Sequence, residues 1–286
     1  MKNQKTVTIL VLLITFASIV ATSLGIFSND GPGNYEYESI RGQSVKIYGK
    51  GIYRHMSADV AIQGIAQDYI TLFAGIPLLL ISLFFTKKKS LRGKIVLAGV
   101  LGYFLVTYLF YLTMGMYNQL FLIYAFLLGT TFFAFLLTVL EFNAEKIKEQ
   151  FKSEKLMRNA GIFLIINGSL VALLWLSIVL PLLLDGTIIP LQVQHYTTLI
   201  VQGFDLGLLL PIAFVVGYLA VKKNNYGFLF TPMYMVFLSL LMTALVSKII
   251  FMAEAGQNVI PAIFIMPTIA LIALIFSVLL LRDLPT

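Results

Sequence analysis

Eight side chains could do chemistry in a chain otherwise built largely from apolar residues: Asp68, Asp205, Gln63, Gln202, His55, His195, Lys248 and Glu254. Carboxylates can hold a cation or pass a proton, and a histidine titrates near neutral pH. An ammonium inside an apolar run demands an anionic partner or a route to water. Six of the eight recur in order. His55, Gln63-Gly64, Asp68 and Pro77 are followed later by His195, Gln202-Gly203, Asp205 and Pro211. Each series ends in a lysine pair and a glycine, Lys87-Lys88 with Gly93 and Lys222-Lys223 with Gly227. The spacing between the series drifts from 140 at the histidines to 137 at the aspartates and 134 at the glycines. This pattern suggests an internal repeat with short gaps.

Two His and two Asp could in principle hold a divalent metal. The separations of 13 residues (His55 to Asp68) and 10 (His195 to Asp205) match no ligand motif, so no metal is assigned. No Walker loop, HExxH, kinase set or nucleophile elbow occurs, which leaves catalytic residues and any cofactor open. There are no cysteines, which excludes disulfides, thiolate metal sites and cysteine nucleophiles.

The elements that must position these residues follow from composition. Of 286 residues, 59% are hydrophobic and only 12% charged, with mean hydropathy +0.92. Soluble domains carry about 25% charged residues, so an ordinary soluble enzyme, a disordered chain and a nucleic-acid binder are all excluded. Eight apolar runs have spanning length: Val7–Phe27, Tyr69–Thr86, Ile95–Met116, Gln119–Glu141, Ala160–Leu184, Gly203–Val221, Phe228–Met252 and Val259–Leu281. Backbone groups in lipid must be satisfied within the segment, so the expected class is an all-α membrane protein with eight transmembrane helices. The first run is read as an anchor, although Ala21-Thr22-Ser23 resembles a signal-peptidase site.

The net charge of +7 is an orientation signal. Lys2 and Lys5, the Lys87–Lys94 cluster, the Lys146–Arg158 cluster, Lys222-Lys223 and Arg282 all fall on one side when the runs alternate. The positive-inside rule makes that side cytoplasmic, with both termini inside. The expected setting is a bacterial cytoplasmic membrane, with the lipid bilayer as the main partner. Helices two and six then run in the same direction, giving two parallel four-helix halves, residues 1–158 and 159–286. Asp68, Asp205, Lys248, Glu254 and a further acid, Asp185, all fall at or near the outer ends of their helices.

Residues 28–67 form the one long outer segment, expected to cover the bundle mouth as a lid. Val45–Tyr48 alternates like a strand, Gly49-Lys50-Gly51 can turn, and Ile52-Tyr53-Arg54 can return as a second strand. Ser57 suits a helix N-cap. Tyr103, Thr107 and Tyr111 make one stripe on helix three, read first as interhelical packing; so are the small pairs Ala98/Gly102, Gly168/Ala172 and Ala213/Gly217, while mid-helix Trp175 reads as core. Glu145–Arg158 carries opposite charges at helical spacing, read as an extension of helix four and a contact for lipid or a cytoplasmic partner subunit.

Three stretches, Gln67–Leu80, Tyr117–Phe121 and Asp205–Pro211, resemble an uncharacterised group of bacterial multi-pass membrane proteins. The resemblance implies a bacterial membrane protein and supplies no activity. Three functions fit the residues. The first is transport or binding of a small polar or cationic solute, or of a lipid headgroup, in an outer cavity lined by Asp68 and Asp205. The second is an outward-facing enzyme acting on a lipid or envelope precursor, and the third a non-catalytic subunit of a membrane complex.

Overall fold

The computed structural model describes residues 3–186 and 189–285, except for the side chains of Leu182 and Asp185. Lys2 and the Asp185 carboxylate, both invoked above, lie outside the described residues. The element order is α1 (Gln4–Phe27), β1 (Tyr35–Glu38), β2 (Ser44–Ile47), α2 (Ala58–Ile70), α3 (Ile76–Lys87), α4 (Leu91–Met114), α5 (Phe121–Val139), α6 (Ala144–Lys148), α7 (Glu154–Asp185), α8 (Ile200–Phe204), α9 (Leu210–Val221), α10 (Asn225–Glu254) and α11 (Ala262–Asp283). Five-residue π-helical turns, Thr71–Gly75 and Asp205–Leu209, join α2 to α3 and α8 to α9 into continuous rods. Among the described residues, eight helices are long and apolar enough to cross a membrane. The protein is an all-α, multi-pass membrane protein.

The eight spans alternate in direction, and their connections meet on two faces. On the lysine-rich face, Arg92 donates to the Leu284 carbonyl, and Lys94 Nζ donates to Glu141 O at 2.9 Å. Asp283 Oδ2 there accepts from the Lys152 and Ser153 amides. Side-chain caps start the helices on this face: Ser90, Asn143, Ser153 and Asn224 accept from the backbone of Gly93, Lys146, Leu156 and Tyr226. Asn143 and Ser153 explain why Glu145–Arg158 is not an extension of the fourth span. Two new helix starts break it into α6 and the first turn of α7.

The opposite face carries a small hairpin. β1 pairs with β2 antiparallel, Tyr35 opposite Ile47 and Glu38 opposite Ser44. The expected partner, Ile52–Arg54, does not pair as a strand. Gly51–Tyr53 is a 3-10 turn instead, and the alternating Tyr35-Glu-Tyr-Glu38 takes its place beside β2. Ser57 does precede α2, yet its side chain makes no cap bond. Its hydroxyl lies 3.3 Å from Tyr196 Oη.

The centre of the bundle is α10, which packs on α11, α4, α2 and α9. Glycines set the closest approaches. A Cβ on Gly99 would lie 2.6 Å from the Met233 carbonyl oxygen and from Val236 Cβ. One on Gly217 would lie 2.7 Å from the Gly161 oxygen, so α7 and α9 nearly touch backbones. Of the small pairs, Ala213/Gly217 therefore marks a close crossing. Gly102 has only ordinary contacts, the nearest atom lying 3.8 Å away.

The two bulged rods match position by position at one spacing. Thr71 and Asp205, Gly75 and Leu209, Pro77 and Pro211, Lys89 and Lys223, Ser90 and Asn224, and Gly93 and Gly227 are each 134 apart. Lys89 and Lys223 share a left-handed φ, 62° and 55°. Gly99 and Met233, which meet where α4 crosses α10, are themselves 134 apart. At this register Asp205 aligns with Thr71, while Gln202 aligns with Asp68. The two aspartates, 137 apart, therefore stand about one helical turn out of step with this spacing.

Gly99→Val should overpack the α4–α10 crossing and destabilise the protein by about 1–3 kcal/mol. Gly102→Ala should leave the thermal midpoint in detergent unchanged.

Candidate functional site

Pro77 and Pro211 each lack an N–H, and each ring would strike the carbonyl four residues earlier in an α-helix. A turn widened to i→i−5 relieves the clash: the Ile76 amide donates to Thr71 O, and the Leu210 amide to Asp205 O. Such bulges leave carbonyls that the membrane core cannot hydrate. Side-chain donors also reach carbonyls of α2 ahead of the first bulge. Gly64 O accepts from Tyr111 Oη at 3.0 Å, Ala66 O from Ser247 Oγ at 3.2 Å and Gln67 O from Thr71 Oγ1 at 2.9 Å. In the second rod Tyr234 Oη donates to Leu209 O at 3.1 Å.

Asp68 sits at the end of α2, 2% exposed. Tyr53 Oη donates to its Oδ2 at 2.5 Å, and Tyr111 Oη donates to its Oδ1 at 2.8 Å. Burial, then the nearby Asp68 charge, holds the Tyr53 phenol well above its usual range, so Tyr53 stays a proton donor. A charge in a membrane helix costs about 2.5–3.5 kcal/mol on insertion scales. Two bonds to a charged group, at about 1.5–3 kcal/mol each, can offset that.

Two glycines make the arrangement possible. A Cβ on Gly25 of α1 would lie 1.7 Å from Asp68 Oδ2, and one on Gly64 would lie 3.1 Å from the Tyr53 ring. Beside Asp68, Gln67 Nε2 donates to Tyr103 Oη (2.8 Å) and Thr107 Oγ1 (3.2 Å), and Thr71 Oγ1 lies 2.9 Å from Tyr103 Oη. The tyrosine stripe of α4 thus serves a polar network as well as packing.

Asp205 opens the second bulge, where Trp175 Nε1 donates to its Oδ2 at 2.8 Å. Lys248 on α10 lies within electrostatic reach of both carboxylates. No ion pair within 4 Å joins Lys248 to either among the described residues. α10 is held beside α2 at this level by the Ser247–Ala66 bond and by the Tyr69 and Phe251 rings, 5.5 Å apart. A cavity of about 100 Å³ lies next to the site, lined by Tyr111 and Tyr124 with Met116 and Asn118. The Tyr111 and Tyr124 rings stack at 5.3 Å and 18°.

The structure brings Asp68, Asp205 and Lys248 into one electrostatic group and leaves the other expected residues around it. His195 Nε2 lies 3.0 Å from the His55 carbonyl oxygen, and its ring meets those of Tyr37 and Tyr196, so the histidines join the cover segments. The Gln63 side chain turns back to the Asp59 carbonyl at 3.2 Å. Gln202 faces a separate cleft, and Glu254 is exposed at the end of α10. Among the described residues no group of three or more His, Asp or Glu could hold a metal ion. Tyr53, Gln67, Trp175 and Gly25 are functional neighbours that sequence reasoning did not assign to the site. For Trp175 the signal was a lone indole N–H inside an apolar run, which needs an acceptor.

Gly25→Ala and Tyr53→Phe each remove support from the Asp68 carboxylate, and each should cost about 1–3 kcal/mol. Because they disturb the same bond, the double variant should lose less than the sum, by more than about 0.5 kcal/mol. Additive losses in thermal unfolding would show that the Tyr53–Asp68 bond is not what Gly25 protects. No family model, no curated protein and no solved structure matches the chain.

Proposed function

We propose that this is a cytoplasmic-membrane protein of bacterial type that takes up a small monovalent cation, or a proton, from the outer face at the Asp68–Lys248–Asp205 group. The lysine-rich face is then cytoplasmic, and the two bulged rods belong to related four-helix halves. One observation carries the reading: a buried carboxylate, Asp68, held by two phenols beside a small cavity, with a second carboxylate on the matching rod and the Lys248 ammonium within electrostatic reach of both. Fully ionised, the group has one net negative charge, which a low-dielectric surrounding penalises until one positive charge joins it. The adjacent cavity of about 100 Å³ has room for several waters or a small ion, and little for a larger solute.

Both Asp68 oxygens already accept phenol hydrogens. That arrangement closes Asp68 off from a bulky substrate, which favours binding or transport of a small ion over the enzyme reading.

Thermal unfolding of the purified protein against Li⁺, Na⁺ and K⁺, and across acid to alkaline pH, tests the proposal. A bound cation stabilises the native state by mass action, about 2.7 kcal/mol at a hundredfold excess over the dissociation constant. A rise in the midpoint with one cation, or on lowering the pH if the ligand is a proton, is expected in the wild type. It should be lost in Asp68→Asn and in Asp205→Asn, with monodispersity checked for each. Identical responses in the wild type and both folded variants would sink the assignment.

A further inference from the structure

A second cleft, larger than the cavity beside Asp68, lies on the outer side of the second bulge and is not lined by either carboxylate. It has about 410 Å³, within the range of about 300–1,000 Å³ usual for small-molecule sites. Its walls are apolar, with Val179 and Leu183 from α7, Ile189 from the following loop, and Leu206 from the second bulge. Leu183 and Ile189 are 67% and 52% exposed, so the cleft opens sideways onto the lipid-facing surface. Its polar groups are Arg41, Gln202 and the hydroxyls of Thr197 and Thr198.

Arg41 is the informative group. It comes from the hairpin segment and reaches across to the second half, where its Nη1 donates to Gln194 O (3.2 Å) and Tyr196 O (3.0 Å). Those bonds use both Nη1 hydrogens and fix the guanidinium plane, leaving the Nη2 and Nε donors. No carboxylate pairs with this half-buried cation among the described residues. A fixed guanidinium with free donors is suited to bidentate binding of a phosphate.

The register of the two rods explains why a cleft exists here. Gln202 stands 134 residues after Asp68. In the first half the space beside Asp68 is filled from within by Tyr53, fitted against Gly25 and Gly64. In the second half Gln202 carries no charge, and nothing lies within 4 Å of where a Cβ on Gly203 or Gly207 would be. One half is plugged by its own tyrosine, and the other is left open beside an arginine that has no carboxylate partner among the described residues.

We propose that this cleft binds one anionic phospholipid of the outer leaflet, with its phosphate on Arg41 and an acyl chain between α7 and the second bulge. This assignment is independent of the cation site. Native mass spectrometry of the full-length protein, released from mixed phosphatidylglycerol and phosphatidylcholine micelles, reads it directly. The wild type should retain one phosphatidylglycerol with a preference of about tenfold, the scale of one charge-assisted contact.

Arg41→Gln should remove the preference. Because that change also unties the loop at Gln194 and Tyr196, Leu206→Trp is the second variant; it fills the cleft, keeps Arg41's contacts and should abolish retention. Equal retention of the two lipids by the wild type would overturn the proposal. So would a wild-type preference that persists in either variant. Displacement of the lipid by inorganic phosphate alone would refute the acyl-chain contact.

Discussion

A carboxylate inside a bilayer has no water to solvate it, so the protein must supply the donors. At Asp68 the donors are two phenols, and much of the first half is organised to deliver them. Tyr53 reaches the site from outside the membrane helices, which requires the 3-10 turn at Gly51–Tyr53 and bare backbone at Gly25 and Gly64. Tyr111 comes from α4, and its single phenol hydrogen is shared between the carboxylate at 2.8 Å and the Gly64 carbonyl of α2 at 3.0 Å. The hairpin segment is therefore tied into the bundle by a bond that the buried charge makes valuable. α1 is tied in too, since its Gly25 is the surface against which the carboxylate rests.

The same constraint governs the helix interruptions. A proline in a spanning helix would leave a carbonyl without a donor, and both rods answer with a π-helical turn just before the ring. The side-chain donors that reach backbone carbonyls differ between the rods: Thr71, Ser247 and Tyr111 reach carbonyls of α2 in the first, and Tyr234 reaches Leu209 O in the second. Identical backbone geometry at a constant spacing of 134 thus carries different chemistry. The first rod holds a buried carboxylate sealed by a tyrosine. The second holds a carboxylate bonded to one indole, beside a cleft that opens to lipid. Lys248, on the central helix, is the group that senses both.

Part of this was legible in the chain. Asp68, Asp205 and Lys248 stood out because a charge within an apolar run has a cost wherever the run packs, and Lys248 lies within electrostatic reach of both carboxylates. The histidines, Gln63 and Glu254 stood out by type or order alone, and they lie at the cover or the exposed end. Tyr53 could not be found this way. It sits in a polar loop 15 residues from Asp68, and its role depends on two glycines that look like ordinary small residues in sequence. The strand partner was misassigned because Ile52-Tyr53-Arg54 has strand-like composition. The need to deliver Tyr53 inward draws it into a turn, and Tyr35–Glu38 is left to pair with Ser44–Ile47.

By itself the sequence determined which segments live in lipid, how they alternate and which face gathers the lysines. Those properties are local, since transfer of a residue from water to hydrocarbon is paid residue by residue. Only the tertiary structure decided which polar groups meet. A helix of Leu, Ile, Val and Phe is nearly as apolar on one face as on another, so its rotation and register are set by close contacts such as Gly99 on Met233 and Gly217 on Gly161. At the 134-residue spacing of the two rods Asp68 corresponds to Gln202, so a sealed carboxylate in one rod stands where the other has a neutral amide beside an open cleft.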